Sequence, residues 1–89
     1  MQMTEKIAAM RDYVETELHV VFGEGIDVQT ASSERIERLA GLVNLRRMLN
    51  EETPEEFGLL LAGMVELNVH SGAGDEYEKA QKHYLSLDA

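Results

Sequence analysis

The chain has 89 residues, a formal net charge of −9 at pH 7 and no cysteine, and 44% of its residues are hydrophobic. Its length permits one domain with a modest core, and the lack of cysteine excludes disulfides, thiolate nucleophiles and cysteine-ligated metal sites. The negative charge argues against direct binding of nucleic acid, which depends on neutralising phosphates, and against an anionic membrane surface. We therefore expect a single domain over residues 1–89, in the reducing cytoplasm and without a membrane segment.

Helix 1 is predicted over residues 5–22, with Thr4 as its N-cap and Gly23 as its C-terminal stop. Its large apolar residues recur at intervals of three and four, which is the spacing of one helical face. This predicted buried stripe consists of Ile7, Met10, Val14, Leu18 and Val21.

Helix 2 is predicted over residues 33–49, and its apolar residues occupy about half of its circumference. Those residues are Ile36, Leu39, Leu42, Val43, Leu45 and Leu49. Arg35, Arg38 and Arg46 fall within this apolar arc around Leu42, whereas arginines on an amphipathic helix usually lie opposite it. Met48 projects from the polar side and is a candidate contact residue.

Helix 3 is predicted over residues 54–70 and has the clearest start in the chain. Thr53 is its N-cap, Pro54 takes the first helical position, and Glu56 completes a capping box. We expect helix 3 to be the central helix, because its apolar residues cover well over half of its circumference: Phe57, Leu60, Leu61, Met64, Val65, Leu67 and Val69. Leu59 projects from its polar side, as Met48 does from helix 2, while Gly58 and Ala62 leave room for a neighbouring helix.

Helix 4 is predicted over residues 76–87, capped by Asp75, with an apolar face of Tyr77, Ala80, Tyr84 and Leu87. Little in the sequence favours strands. The pattern therefore predicts an all-α fold, a small bundle of about four helices.

The charges are distributed unevenly along the chain. Residues 31–50 carry four arginines (Arg35, Arg38, Arg46 and Arg47) and two acids, for a net charge of +2, whereas the rest of the chain carries −11. Two interpretations of this basic helix remain open. The arginines pair with acids of the same chain, on helix 1 and in the turn after helix 2, or they form an interface with a second copy. That predicted interface consists of Arg35, Arg38, Leu42, Leu45, Arg46 and Leu49.

For function, the pattern favours a non-enzymatic protein–protein interaction module that acts as a homodimer, with a basic protein as a possible partner. The alternative is an acidic mimic of nucleic acid that inhibits a basic DNA- or RNA-binding protein. Its acidic surface would consist of Glu51, Glu52, Glu55, Glu56, Asp75, Glu76 and Glu78.

An enzyme or metal-binding protein is the third and least supported class. Two Glu–His pairs, Glu15 with His19 and Glu66 with His70, have the i, i+4 spacing that places both side chains on one helical face. Each pair lies on a polar face, where solvated side chains are the ordinary explanation, and the Glu-x-x-His pattern of di-iron bundles is absent. We therefore expect no cofactor, no metal and no catalytic residues.

Overall fold

A computed structural model describes residues 1–23, 33–67 and 72–88, and for residues 72–75 it describes the backbone alone. These residues form four α-helices and no strand: α1 (Met3–Gly23), α2 (Ser33–Glu51), α3 (Pro54–Leu67) and α4 (Gly72–Ser86). The predicted all-α bundle is confirmed. The predicted end of helix 3 at residue 70 lies outside the described residues.

Two predicted N-caps lie inside their helices. The amide of Lys6 already donates to the carbonyl of Gln2, so α1 begins before Thr4. Likewise, α4 begins at Gly72, which places Asp75 within its first turn. The apolar pattern begins after these polar residues, but the backbone adopts helical geometry a few residues earlier.

One hydrophobic cluster joins all four helices. The whole predicted stripe of α1 is buried, as are Tyr77, Ala80 and Tyr84 of α4, with Leu87 partly buried against them. From α2 and α3 the cluster takes Leu42, Leu45, Met48, Leu49, Phe57 and Leu61. At one end Lys6 of α1 pairs with Asp88 and lies over the ring of Tyr84, which ties α1 to the end of α4.

The predicted buried face of α2 is rotated about the helix axis relative to the observed one. α2 packs against both α1 and α4, and the Tyr77 hydroxyl of α4 accepts a hydrogen bond from Asn44 at 2.7 Å. This contact draws the Asn44 side of α2 towards the core, so Met48 is buried and not a surface contact residue. Ile36 and Val43, which were predicted to be buried, are exposed on the opposite side.

α3 is packed chiefly against α4 and has only slight contact with α1 and α2. Phe57 and Leu61 are completely buried, but α3 is not the central helix that the sequence predicts, because of the described helices it packs closely against α4 alone. Within the described part of the chain Met64 and Val65 are partly buried against the core, while Leu59, Leu60 and Leu67 stay exposed, because a helix that has one close neighbour buries mainly the side that faces it.

Candidate interaction surface

The start of α3 is fixed as the sequence predicts. The amide of Glu56 donates to the Thr53 hydroxyl at 3.3 Å, which confirms Thr53 as the N-cap. The amide of Phe57 also donates to the Thr53 carbonyl, at 3.0 Å. These bonds set the first turn of α3 directly after α2 and determine which residues of α3 turn inward.

The inward side of α3 is held by aromatic contacts with α4. The rings of Phe57 and Tyr84 meet edge to face, with 5.6 Å between their centroids. A β-carbon on Gly58 would lie 3.4 Å from the Tyr84 ring, so the glycine permits the close approach that the sequence predicts. Ala62, expected to have a similar role, is exposed.

The outward side of α3 carries three leucines in contact with solvent. Leu59 is 77% exposed, Leu60 42% and Leu67 83%. Gly63 lies between them, one turn from each, and a β-carbon built on it would have no neighbouring atom within 4 Å in the part of the chain that the structure describes. We call these four residues the exposed leucine face. Three exposed leucines on one side of a helix make that side a candidate binding surface, whereas single exposed leucines are ordinary.

Glutamates border the exposed leucine face. Glu55 and Glu56 lie one turn before Leu59 and Leu60, and Glu66 lies beside Leu67; all three glutamates are exposed. α3 contains no lysine or arginine. The surface therefore combines an apolar strip with a rim of one sign of charge.

The arginines of α2 are paired within the chain. Arg38 pairs with Glu17 of α1, and its Nε lies 3.0 Å from Oε1 of Glu76 on α4, without the alignment of a hydrogen bond. Arg46 lies 2.9 Å from Glu15 of α1. These contacts support the intramolecular interpretation for both arginines.

Arg47 and Arg35 complete the basic helix. Arg47 pairs with Glu51 in the same helix at 2.9 Å and donates to Asn44, and Arg35 is partly buried. Glu51, the last residue of α2, is thus paired with an arginine of the same helix.

The leucines of the predicted dimer interface are not on the surface. Leu42, Leu45 and Leu49 are buried in the core of the single chain. Sequence periodicity identifies an apolar face but does not show whether the chain's own helices or a second copy covers it. Here α1 and α4 cover it, so a contact with another chain would have to use other residues.

The acidic surface proposed for nucleic-acid mimicry is interrupted. Glu76 is 3% exposed and lies between Arg38 and Lys79, because its position on α4 faces the core. Glu78 is exposed and lies 3.9 Å from Lys82, and the side chain of Asp75 is outside the described residues. Glu51, Glu52, Glu55 and Glu56 remain around the turn between α2 and α3, where Glu52 is partly buried and the others are exposed.

Glu76 belongs to a polar cluster between α1, α2 and α4. The ring of Tyr13 stacks on His83 with 4.6 Å between the centroids. Burial raises the pKa of Tyr13 to about 12, and the nearby carboxylates of Glu17 and Glu76 add to the shift while Arg38 opposes it. The cluster joins three helices through paired charges, and this gives it a structural role.

The two Glu–His pairs do not form a metal site in the described part of the chain. Glu15, of the first Glu–His pair, is engaged by Arg46, and His70 of the second pair lies outside the described residues. Among residues 1–23, 33–67 and 72–88, no group of three or more His, Asp or Glu side chains is placed to hold a metal ion.

Two depressions between α1 and α2 share Glu15 and Arg46 in their walls. Each has a volume of about 170 Å³, below the range of roughly 300–1,000 Å³ that is usual for ligand pockets. Their size argues against a site for a drug-sized ligand in either place.

None of the helices in the described ranges has the length and apolar content needed to cross a membrane. No protein-family model matches the chain, and comparison with curated proteins and with solved structures found no match. Function is therefore inferred from the chain's own residues and geometry.

Proposed function

We propose that this protein is a non-enzymatic protein–protein interaction module whose contact surface is the exposed leucine face of α3. The observation that carries the proposal is the solvent exposure of Leu59, Leu60 and Leu67 around Gly63, where a β-carbon would have no neighbouring atom within 4 Å among the described residues. The absence of cysteine from the sequence supports a reducing compartment, and we propose the cytoplasm.

The energetics of burial support this surface. Complete burial of a leucine side chain stabilises a contact by roughly 1.5–3 kcal/mol, and Leu59 and Leu67 are each more than three-quarters exposed. A partner that covered both would gain roughly 3–6 kcal/mol before the costs of association and side-chain ordering. That gain is sufficient for a reversible contact and small for a permanent one.

A homodimer, which the sequence favours, would need an exposed apolar surface such as this face or the side of α2 that carries Ile36 and Val43. The burial of Leu42, Leu45 and Leu49 and the internal pairing of Arg38 and Arg46 count against a dimer interface at those residues of α2. Mimicry of nucleic acid has the exposed Glu55 and Glu56 in its favour, but the burial of Glu76 removes part of the required array.

The test uses a double variant, Leu59→Gln with Leu67→Gln, and a matched control, Val43→Gln on the exposed side of α2. Tagged wild type and both variants are used to capture proteins from a bacterial lysate, with elution in steps of rising salt. Proteins that bind wild type and Val43→Gln but not the double variant would support the proposal. Capture of the same proteins by all three would overturn it.

Accessibility of the face is tested independently, because the chain has no native cysteine to interfere. Single variants Leu59→Cys and Leu67→Cys should react rapidly with a maleimide in the native state, whereas Leu61→Cys should be protected by burial. Equal protection at all three positions would mean that the face is already covered, and the proposed surface would be wrong.

A further inference from the structure

We propose that the partner of the exposed leucine face is a basic amphipathic α-helix of another protein. This inference rests on the proposed function and adds to it the chemistry of the partner. Three features of α3 carry it: the spacing of the apolar residues, the sign of the surrounding charge and the size of the face.

The spacing fits a second helix lying along α3. Leu60, Gly63 and Leu67 follow each other at intervals of three and four, as do the core positions of a two-helix contact. Together with Met64 they stand at i, i+3, i+4 and i+7, the arrangement of a hole that accepts one side chain from a facing helix. Gly63 supplies the depth of this hole because it has no side chain and a β-carbon there would meet no atom of the described residues within 4 Å.

The negative charge around the exposed leucine face favours a basic partner helix. Glu66 directly precedes Leu67 and flanks the line of core positions, where a lysine or arginine of a partner helix would meet it. Glu56 lies on the same line one turn before Leu60, and α3 offers no base to neutralise either carboxylate. A helix with an apolar stripe and basic flanks therefore complements this surface, and long-range attraction to a chain of net charge −9 would speed its approach.

A second copy of this chain complements the surface poorly. It would bring another helix with three glutamates and no base against α3, on a chain that also carries a net charge of −9. Like charges at a contact oppose association. Two arginines of α2, Arg38 and Arg46, are paired with acids of their own chain.

The size of the face also favours a single helix. The face runs from Leu59 to Leu67, so it is about 13 Å long and about 10 Å wide, or roughly 130 Å² in outline. A stable complex between folded proteins usually buries about 800 Å² on each side. One amphipathic helix matches the outline, and we expect a weak, reversible contact with a Kd of about 0.1–1 mM.

The experiment uses three synthetic helical peptides of equal length, labelled with a fluorophore, and measures their binding by anisotropy. The first peptide has a leucine stripe flanked by lysines, the second has glutamates in place of the lysines, and the third has serines in place of the leucines. The proteins are wild type, Leu59→Gln with Leu67→Gln, Glu66→Lys, and Val43→Gln as the matched control. Circular dichroism and melting temperature verify that each variant is folded.

The lysine–leucine peptide should bind wild type and Val43→Gln equally. It should bind the double leucine variant at least tenfold more weakly and Glu66→Lys at least threefold more weakly. The glutamate peptide and the serine-stripe peptide should each bind wild type at least tenfold more weakly than the lysine–leucine peptide.

Different failures have different meanings. If the glutamate peptide bound as well as the lysine peptide, or if no peptide bound, the inferred partner would be wrong while the face itself would stand on the capture and labelling experiments. Equal binding of the serine-stripe peptide would indicate general adsorption to an acidic chain and would also overturn the inference.

A dimer that is seen by light scattering and lost in the double leucine variant would identify a second copy as the occupant. If the double variant captured every lysate partner of the wild type, the proposed function would fail as well.

Discussion

One side of α3 is buried and another is exposed. Replacing leucine by alanine should therefore lower the free energy of unfolding by very different amounts at neighbouring positions. Leu61→Ala removes a completely buried side chain and should lower the free energy of unfolding by about 2–5 kcal/mol, through lost burial and the cavity left behind. Leu59→Ala removes a side chain that is 77% exposed and should change it by less than about 0.5 kcal/mol. Leu60→Ala, at 42% exposed, should fall between them.

The loss expected for Leu61→Ala is large relative to the free energy of unfolding of the whole protein. A chain of this size has a free energy of unfolding of about 5–13 kcal/mol, and a loss of about 3 kcal/mol lowers the melting temperature by roughly 12–24 °C. Leucine and alanine are both good helix formers, so the comparison isolates burial from helix propensity.

The measurement is urea unfolding followed by circular dichroism, at low and at high protein concentration. Equal losses for Leu59→Ala and Leu61→Ala at low concentration would refute the division of α3 and the surface built on it. A loss for Leu59→Ala that appears only at high concentration would reveal self-association through this face.

Three further predictions follow from contacts elsewhere in the fold. Thr53→Ala should cost about 1 kcal/mol by removing the cap of α3, and an unchanged urea midpoint would contradict the capping bond. Arg38→Met leaves the buried Glu76 without its guanidinium partner and should lower the free energy of unfolding by about 2–4 kcal/mol. Arg46→Met breaks a half-exposed pair and should lower it by less than about 1 kcal/mol. Equal melting temperatures for the two variants would show that burial does not determine the strength of these pairs. The raised pKa of Tyr13 means that the folded protein keeps a proton that the unfolded chain releases, so stability should fall as pH rises from about 10 to about 12. Tyr13→Phe should reduce this slope in urea titrations, and an unchanged slope would exclude Tyr13 as its source.

Local features of the sequence were sufficient to predict most of the helical architecture. The stripe of α1 from Ile7 to Val21 is buried at every predicted position, and Thr53 caps α3 as predicted. Both depend on interactions between residues a few positions apart, which sequence spacing records directly. The starts of α1 and α4 were predicted less well, because helix ends depend on weak local bonds that several residues can supply.

The candidate site was only partly visible in the sequence. Leu59 was expected to project into solvent, and it does; Leu60 and Leu67 were assigned to the core but are exposed. The feature of the sequence that pointed to an exposed apolar surface was the width of the apolar arc of α3, which exceeds what one neighbouring helix can cover. The sequence did not indicate which part of that arc would be exposed, since this depends on the side of α3 against which α4 packs.

The sequence by itself determined four amphipathic helices, their approximate limits, and a concentration of positive charge on α2 within an acidic chain. Only the tertiary structure decided that Arg38 and Arg46 meet acids from α1 and α4, that Leu42 and Leu45 are inside, and that a side of α3 stays open. The physical reason is that periodicity fixes the direction of each side chain relative to its own helix axis. The rotation and placement of the helices against one another decide which apolar faces and charges meet.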